Sequence, residues 1–247
     1  MLEKINLDEI KSIALKAGKA IMEIYNKDFK VSYKDDNSPL TEADLVCNSI
    51  ICKELAKFNL PILSEENKKN SFQERKHWEY FWCIDPIDGT KEFTKKNGEF
   101  TINIALIYKD TPVLGVVYTP AINRLYSAKK GFGAFKNEMV LPLKLNHQTY
   151  KIVANKSHMS EETREFIDNL QTPLKKELIT MGSSLKICLV ASDEAKCYPR
   201  LSPTMEWDTA GTDAIARESE KIIYEYQNKK VLLYNKENLR NPYFIVE

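Results

Sequence analysis

The chain has 247 residues, of which 43% are hydrophobic, 10% aromatic and 29% charged. This composition is typical of a globular protein with a sizeable buried core, and it excludes disordered, collagen-like and coiled-coil proteins. Because 36 Lys and Arg residues nearly balance 35 Asp and Glu residues, the formal net charge is +1, and no overall field favours a nucleic acid polymer or an anionic lipid as partner.

The first predicted element is an amphipathic helix. Apolar residues recur at helical spacing at positions 10, 13, 17, 21 and 24, with Lys and Glu between them. This segment lacks the uninterrupted apolar core of a secretory signal, and no apolar run reaches the ~18 residues that span a bilayer, so we expect no integral membrane segment. We expect the helix to pack on the protein's own core, with peripheral association with the inner face of the cell membrane as the alternative.

The rest of the first half predicts one more helix followed by an antiparallel meander. Thr41 is a candidate N-cap for a helix that ends near residue 58, and the apolar run at 60–63 follows it. The run at 80–84 has no helical period and predicts a buried strand that stops at Asp85 and Pro86. Further strands are predicted at 101–108, 113–118 and 124–128, the first two joined by a turn at 109–112.

The second half alternates strands and helices, which predicts an α/β layer. A strand near 152–154 precedes a helix capped by Ser160, a strand near 178–180 precedes a helix opened by residues 182–184, and a strand near 196–200 precedes a helix capped by Asp208. The predicted fold is therefore of the α/β class, with an α+β subdomain at 1–147 and an α/β subdomain at 148–247 in one compact unit.

Cysteine and histidine usage argues against disulfides and zinc. The five cysteines are an odd number without a CxxC pair, so we expect reduced core thiols and a reducing cytoplasm. The three histidines are scattered and do not have the spacing of a zinc site.

Five acidic residues lie where predicted strands end or helices begin. Taken singly, each has a structural explanation: Asp44 stands at the capping-box position after Thr41, and Glu65 lies in a polar loop. Asp85 precedes a proline and Asp88 a glycine, as in ordinary turns, and Asp208 suits a helix N-cap.

The segment at 85–90 (DPIDGT) resists this structural explanation. Carboxylates three residues apart on a tight turn can converge on one point, where they repel and raise each other's pKa unless a cation neutralises them. Oxygen ligands without nearby His or Cys favour Mg²⁺ over Zn²⁺. Gly89 allows close approach of a ligand to the backbone, and Thr90 adds a hydroxyl, so the segment also suits a phosphate.

These residues resemble a known enzyme family over nearly the whole chain. The segment at 85–90, the upstream Glu65 and the segment at 207–210 (WDTA) resemble the inositol monophosphatase superfamily of magnesium-dependent, lithium-sensitive phosphatases. Within it, the bacterial 3′(2′),5′-bisphosphate nucleotidases have segments similar to those at 90–93, 156–160, 182–186, 203–210 and 241–244. The resemblance implies a layered α/β/α/β/α sandwich with metals between its two halves.

Metal and catalytic roles are implied by the same resemblance. Glu65, Asp85 and the main-chain oxygen of Ile87 would hold one Mg²⁺, and Asp85, Asp88 and Asp208 a second. A third, weaker Mg²⁺ would lie near Glu65, which gives two or three ions per site. Catalysis is assigned to a pair of residues that activates water, with a third that assists: Asp44 and Thr90, with Glu65.

Substrate binding is also carried over by motif. The implied contacts are Glu65, Ile87, Asp88, Gly89, Thr90, His158, Ser183, Lys186, Arg200 and Asp208. For three of these a plainer role stays open: Lys186 as a helix surface residue, Arg200 as a strand end and His158 as a cap. The chain departs from the family pattern at 211–213, where an Ala-rich run is usual, and at 219–220, where a Gly-Gly turn is expected.

The leading hypothesis is a phosphatase that converts adenosine 3′,5′-bisphosphate to AMP, with 3′-phosphoadenylyl sulfate as a second substrate, in sulfate assimilation. The protein would be a monomer or homodimer. Three alternatives stay open: an inositol or sugar phosphatase with the same metals, a nucleotide-binding sensor without turnover, and an interaction scaffold whose acidic turns bind no metal.

Overall fold

The structure is a computed structural model that describes residues 1–33, 39–155 and 159–247. Its α-helices are α1 (Leu7–Tyr25), α2 (Glu42–Leu55), α3 (Phe72–Arg75), α4 (Thr90–Thr94), α5 (Glu161–Asn169), α6 (Leu185–Ala191) and α7 (Glu206–Glu218). Short 3₁₀ helices lie at Leu2–Lys4, Ala56–Phe58 and Pro120–Ile122. The strands are β1 (Val31–Tyr33), β2 (Pro39–Thr41), β3 (Ile62–Ser64), β4 (Tyr80–Asp88), β5 (Thr101–Tyr108), β6 (Thr111–Thr119), β7 (Arg124–Lys129), β8 (Gly133–Lys136), β9 (Met139–Val140), β10 (Tyr150–Asn155), β11 (Lys176–Met181), β12 (Tyr198–Arg200), β13 (Ile223–Glu225) and β14 (Phe244–Val246).

A seven-stranded sheet in the order β3-β4-β5-β6-β7-β8-β9 forms the centre of the first half. β3 runs parallel to β4, and every later pair is antiparallel, so the predicted meander is confirmed. Both faces of the sheet are buried. Phe81 and Cys83 of β4 pack on one face, whereas Trp82 and Ile84 pack on the other, which explains why this strand shows no alternation of polar and apolar residues.

A second sheet follows in the other half. β10 pairs in parallel with β11, and β14 lies between β12 and β13 in antiparallel pairing. A parallel bridge between Ile152 and Cys197 joins the two groups of strands. The chain passes from the first sheet to the second between Val140 and Tyr150. The division into subdomains 1–147 and 148–247 stays a prediction.

The elements stack in five layers. Helices α1 and α2 cover one face of the seven-stranded sheet, and α6 and α7 lie between its other face and the second sheet. Helix α5 packs outside the second sheet, where Phe166 joins a small cluster around Cys197. The expected α/β/α/β/α sandwich is confirmed. None of the helices in the described ranges is both long and apolar enough to cross a bilayer.

Two local predictions are wrong for identifiable reasons. β4 does not stop at Asp85: it continues to Asp88, because a register irregularity between these two residues accommodates Pro86, which has no N–H for the ladder. Helix α7 begins at Glu206, so Asp208 is its third residue and not its N-cap. The Asp208 carboxylate accepts the N–H of Met205, the N-cap, at 2.8 Å.

The departure from the family pattern at 219–220 falls at the end of α7. Glu220 adopts the left-handed conformation, with φ of 62°, that glycine would otherwise supply. The N–H of Lys221 donates to the carbonyl of Ala216 at 2.8 Å, and the Ser219 hydroxyl donates to the carbonyl of Ile215 at 2.8 Å. The helix therefore ends as a glycine-capped helix does, with side-chain support from Ser219.

The other departure concerns the contact between α7 and β6. A Cβ at Gly115 would lie 2.1 Å from the carbonyl oxygen of Gly211 and 2.9 Å from Ala214 Cβ. Helix and strand are thus in direct backbone contact at this point. A Cβ at Gly211 would lie 3.3 Å from Val117 Cγ2, a tight contact, so α7 packs closely on the sheet at this glycine as well. This contact fixes the distance of α7, and with it Asp208, from the sheet.

We expect Gly115→Ala to lower the free energy of unfolding by about 3 kcal/mol, because the new methyl group meets backbone that has no room to move. Gly211→Ala is the matched control: its Cβ would meet Val117 Cγ2 at 3.3 Å, which requires a shift of only a few tenths of an ångström, and the helix gains propensity, so we expect a change below about 1 kcal/mol. Urea unfolding of both variants measures the difference. Equal effects would show that the backbone contact does not constrain the packing.

Candidate active site

The acidic residues reach one place from four elements. Glu65 directly follows β3, and its N–H donates to the carbonyl of Ile84 on β4 at 3.2 Å. Asp85 and Asp88 lie on β4, while Asp44 and Asp208 each occupy the third position of a helix. β3 and β4 are adjacent and parallel, so their carboxyl ends meet at one edge of the sheet. The N-terminal ends of α2 and α7 supply the other two acids.

Three of these acids form a cluster. One carboxylate oxygen each from Glu65, Asp85 and Asp208 lie within 4.8 Å of one another. Asp85 is 1% exposed, and its Oδ1 accepts no hydrogen bond from any residue that the structure describes. A buried carboxylate oxygen without a donor is costly unless a cation compensates it. Asp88 is not part of this trio, but it lines the same cavity as Glu65 and Asp85.

Burial and mutual repulsion raise the pKa values of three aspartates at this site, Asp85, Asp88 and Asp208. Burial, followed by the charges of Glu65 and Asp88, raises the pKa of Asp85 well above its usual range. Burial raises the pKa of Asp208 to about 8, and the charge of Asp88 adds to it. Burial also raises the pKa of Asp88 to about 6, although the Lys186 ammonium and the Ser184 N–H oppose this shift. Burial is the largest cause of all three shifts, and neighbouring carboxylates add to it.

Thr90 and Asp44 lie in hydrogen-bond contact. The Thr90 hydroxyl is 3.2 Å from Asp44 Oδ1 and 3.2 Å from the carbonyl oxygen of Ile87. Asp44 Oδ2 accepts the N–H of Thr41 at 2.8 Å and the Thr41 hydroxyl at 2.7 Å. Asp44 therefore caps the helix with one oxygen and contacts Thr90 with the other, so its capping role leaves the predicted pairing with Thr90 possible.

The turn after β4 depends on Gly89, which has φ of 91°. A Cβ at this position would lie 3.1 Å from the carbonyl oxygen of Glu99 and 3.2 Å from Ser183 Cβ. The turn is thus pressed against the segment that precedes α6. Gly89 permits both the left-handed backbone and this close approach.

Two adjoining cavities meet at the acids. One, of about 440 Å³, contains the carboxylates of Glu65 and Asp85, the Ile87 backbone and Thr90. The other, of about 280 Å³, is lined by Ser183, Lys186, Arg200, Tyr198 and Phe244 among others. Six residues line both cavities: Asp88, Gly89, Lys91, Glu92, Thr204 and Asp208.

Most of the predicted substrate-binding residues line the smaller cavity: Asp88, Gly89, Ser183, Lys186, Arg200 and Asp208. Glu65, Ile87 and Thr90 line only the larger one, and His158 lies outside the described residues. Lys186 is 7% exposed, and its ammonium donates to the carbonyl of Ser183 at 2.6 Å. Burial lowers the pKa of Lys186 to about 8, while the charge of Asp88 opposes this shift. Arg200 donates from Nη2 to the carbonyl of Pro203 at 2.9 Å. One wall of the cavity is therefore cationic and the opposite side carries the acids.

Lys69 is a residue of this site that the sequence did not indicate. Its ammonium donates to the carbonyl of Ser64 at 2.7 Å and to that of Glu65, and it lies 4.6 Å from the ring centroid of Trp207. It therefore holds the loop with Glu65 against the residue that precedes Asp208. A lysine in a polar loop has no pattern that distinguishes it, so only the fold identifies this role.

The donor set fits Mg²⁺. All candidate ligands are oxygens, which a hard cation prefers, and Asp85 Oδ1 is directed to no protein donor among the described residues. The residues that would hold the ion are Glu65, Asp85, the Ile87 carbonyl, Asp88 and Asp208. The number and identity of the ions stay predictions.

Comparisons with known proteins agree with one another. A model of the inositol monophosphatase family matches residues 3–241. The 3′(2′),5′-bisphosphate nucleotidase CysQ of Escherichia coli is 40% identical over 247 residues, which cover 97% of this chain and 98% of that protein. The CysQ nucleotidase of Haemophilus influenzae is 35% identical over 249 residues, 97% of this chain and 91% of that protein.

A solved structure is similar over nearly the same length. The crystal structure of CysQ from Bacteroides thetaiotaomicron, a bacterial member of the inositol monophosphatase family, has a TM-score of 0.89 and 42% sequence identity with this chain. The match covers 98% of this chain and 96% of that one.

The raised pKa values predict that stabilisation by Mg²⁺ depends on pH. Because Asp88 and Asp208 have folded-state pKa values of about 6 and about 8, the stability that their protonation contributes is present below about pH 4 and is lost as the pH rises through those values. Mg²⁺ binds the deprotonated carboxylates, so we expect it to raise the melting temperature more at pH 8 than at pH 6. Thermal unfolding with EDTA and with saturating Mg²⁺, carried out at pH 6 and at pH 8, measures the change in melting temperature at each pH.

Asp85→Asn is the control for this experiment, since it removes one carboxylate from the cluster and leaves a side chain of nearly the same size. We expect the variant to show a much smaller Mg²⁺ shift at both pH values. An equal Mg²⁺ shift at pH 6 and pH 8 in the unmodified protein would contradict the assignment of the shift to these carboxylates.

Proposed function

The chain belongs to the inositol monophosphatase family, and we propose that within it the protein is a Mg²⁺-dependent 3′(2′),5′-bisphosphate nucleotidase. Its substrate would be adenosine 3′,5′-bisphosphate and its products AMP and phosphate, with 3′-phosphoadenylyl sulfate as a second substrate. The proposed role is removal of this by-product of sulfate assimilation. The observation that carries the proposal is a pair of adjoining cavities that share Asp88 and Asp208: one contains Glu65 and Asp85, and the other, which we call the cationic cavity, contains Lys186 and Arg200.

The proposed reaction is an in-line displacement without a covalent enzyme intermediate. A water oxygen bonds to the 3′ phosphorus, the bond from that phosphorus to the ribose 3′ oxygen breaks, and the 3′ oxygen takes up a proton. Positioning and charge stabilisation account for most of the rate enhancement in phosphoryl transfer. The chain must therefore hold the phosphate, orient the water and accept its proton.

Thr90 and Asp44 are the proton acceptors in this proposal. The Thr90 hydroxyl can take a proton from water while it donates its own to Asp44 Oδ1, 3.2 Å away. The bonds from Thr41 fix the Asp44 carboxylate in the required orientation. Glu65 lines the same cavity as Thr90 and would assist in orienting the water.

The phosphate to be removed would lie over the turn at 87–90, where Gly89 allows close approach to the backbone. Mg²⁺ held by Glu65, Asp85, the Ile87 carbonyl, Asp88 and Asp208 would supply the positive charge that lowers the pKa of water and stabilises the phosphoryl oxygens. These acids would hold the cation at the edge of the sheet, next to Thr90 and Asp44.

The remaining 5′-phosphate would bind in the cationic cavity. Lys186 and Arg200 supply positive charge there, and Ser183 supplies polar groups at the same wall. An inositol monophosphate has no second phosphate to place against these residues. This wall is therefore what favours a bisphosphate over a monophosphate substrate.

The five cysteines are all unpaired, which supports a reducing compartment for the protein.

Turnover of matched substrates tests the assignment. We expect adenosine 3′,5′-bisphosphate to be hydrolysed with a higher kcat/KM than 3′-AMP or inositol 1-phosphate, measured as phosphate release with Mg²⁺. Lys186→Met should raise KM for the bisphosphate about 10- to 100-fold, because it loses a charged hydrogen bond, and leave KM for 3′-AMP nearly unchanged.

This substrate pair separates the two possible roles of Lys186. If Lys186→Met acted by disturbing Asp88, hydrolysis of the bisphosphate and of 3′-AMP would be impaired equally. Loss of the 5′-phosphate contact would impair only hydrolysis of the bisphosphate. Equal or faster turnover of inositol 1-phosphate would instead favour an inositol phosphatase. Tight nucleotide binding without multiple turnover would favour a sensor.

Asp88→Asn tests the role of the acids against a purely structural role. We expect kcat to fall by about 10³-fold or more, because the variant loses a charge that holds the cation. The free energy of unfolding should change little, because the amide oxygen of Asn can still accept the N–H of Ser184 while a buried charge is removed. Asp168→Asn, on the exposed surface of α5, is the matched control and should retain full activity. Loss of cooperative unfolding in Asp88→Asn would support the structural explanation.

A further inference from the structure

A closed ring of hydrogen bonds lies beside the carboxylates. Its members are Thr101 and Asn103, on β5, and Ser184, which directly precedes α6. Asn103 Nδ2 donates to Thr101 Oγ1 at 3.2 Å, and Ser184 Oγ donates to Asn103 Oδ1 at 2.8 Å. The hydroxyl oxygens of Thr101 and Ser184 lie 2.7 Å apart. Because the Ser184 proton is directed to Asn103, Thr101 is the donor in this third bond.

The ring is buried, and its three side chains are hydrogen-bonded to one another. Thr101, Asn103 and Ser184 are 0%, 1% and 4% exposed. Within the ring each side chain donates one hydrogen bond and accepts one, so removal of any member leaves buried polar atoms of the other two without a partner. Further along β5, Ala105 and Ile107 on the same face are apolar and belong to the core. Polar groups at 101 and 103 therefore interrupt a face that packing alone would fill with apolar side chains.

The ring borders the acids on both sides. In the pairing of β4 with β5, Thr101 stands opposite Asp88 and Asn103 stands opposite Asp85. On the other side, the N–H of Ser184 donates directly to Asp88 Oδ2. The hydroxyl of Ser184 is therefore anchored on β5 while its backbone holds the carboxylate on β4.

The segment at 182–186 also carries the proposed substrate contacts Ser183 and Lys186. It is fastened to the first half at a further point, since the N–H of Gly182 donates to Glu99 Oε2 at 2.8 Å. The ring is thus the buried part of a polar junction between the sheet with the acids and the wall with the cations. Hydrogen bonds have narrow geometric requirements, so this junction fixes the two cavities relative to each other more strictly than apolar packing.

We propose that Thr101 and Asn103 are positioning residues: by holding Ser184, they fix Asp88 and align it with the Lys186 side of the cavity. They touch neither substrate nor metal in this proposal and act only through Ser184. The inference rests on the proposed phosphatase function, because alignment matters only if both cavities hold one substrate. It assigns a role to two polar residues of β5 that the sequence motifs do not include.

Thr101→Val tests the proposal, because it removes the hydroxyl with little change in shape. We expect kcat to fall about 10- to 100-fold with a smaller change in KM, as is usual when a residue that orients a ligand is removed. The Mg²⁺ concentration that gives half of the maximal thermal stabilisation should rise about 3- to 10-fold. This second measurement does not depend on turnover.

Two variants separate positioning from stability. Thr119→Val is the matched control: Thr119 is 0% exposed at the end of β6, and its hydroxyl bonds to no residue that the structure describes. It should leave kcat and the Mg²⁺ requirement unchanged. Thr101→Ser keeps the hydroxyl and should retain most of the activity, which a role in packing alone would not predict.

Ser184→Ala removes the ring member that precedes α6, in the other half of the protein. This variant provides the test if Thr101→Val does not fold. It should lower kcat to a similar extent, and the double variant should be little worse than either single one, because the three side chains act as a unit. The proposal is overturned if Thr101→Val and Ser184→Ala keep kcat within about twofold of the unmodified protein, or if Thr101→Ser is as impaired as Thr101→Val.

Failure of the proposed function would look different. If the unmodified protein preferred inositol 1-phosphate, the same kcat comparison would be made with that substrate and would still decide the role of the ring. If it hydrolysed none of the phosphates, the half-stabilising Mg²⁺ concentration of the variants would decide, since it reports how well Asp88 is held.

Discussion

Repulsion among crowded carboxylates is the constraint on which this site depends. The ligand atoms of Glu65, Asp85 and Asp208 lie within 4.8 Å of one another, where two unit charges repel by about 3 kcal/mol or more at an effective dielectric constant of about 20. No side chain would adopt this arrangement by itself. The acids stay together because each is attached to an element whose position is set elsewhere: a parallel strand pair, and two helices packed on opposite faces of one sheet. The stability of the core thus maintains a cluster that its own charges oppose.

Helix capping places two of these acids. Asp44 and Asp208 occupy equivalent positions in α2 and α7, and each accepts the N–H of its N-cap residue at 2.8 Å. The helix N-terminus also favours negative charge there. A cap requires only one carboxylate oxygen, so the second is left for another partner, which in Asp44 is Thr90. Capping the helix and contacting Thr90 are therefore not alternatives, because one carboxylate makes both contacts.

Local sequence patterns predicted the elements well, because apolar period, cap residues and turn residues act within a few positions of one another. Helix α1, the capped helix after Thr41 and the meander from β5 to β7 are all found where these patterns placed them. Long-range contacts left no such pattern. The backbone contact of Gly115 with Gly211 and the position of Lys69 across from Trp207 join residues far apart in the chain. The acidic turn at 85–90 predicted a hard-cation site, but the partners Glu65 and Asp208 came from family resemblance and not from spacing.

The polar junction explains why β5 is not uniformly apolar at its beginning. Apolar surfaces tolerate sliding, because burial is nearly independent of direction. In the proposed function one phosphate lies against the acids and a second against Lys186, so the two walls must be fixed within a fraction of an ångström. Buried hydrogen bonds between Ser184 and β5 supply that fixed geometry, and the bonds within the ring offset much of the cost of burying these polar groups. The residues that interrupt the apolar pattern of the strand are therefore the ones that join the two halves at the site.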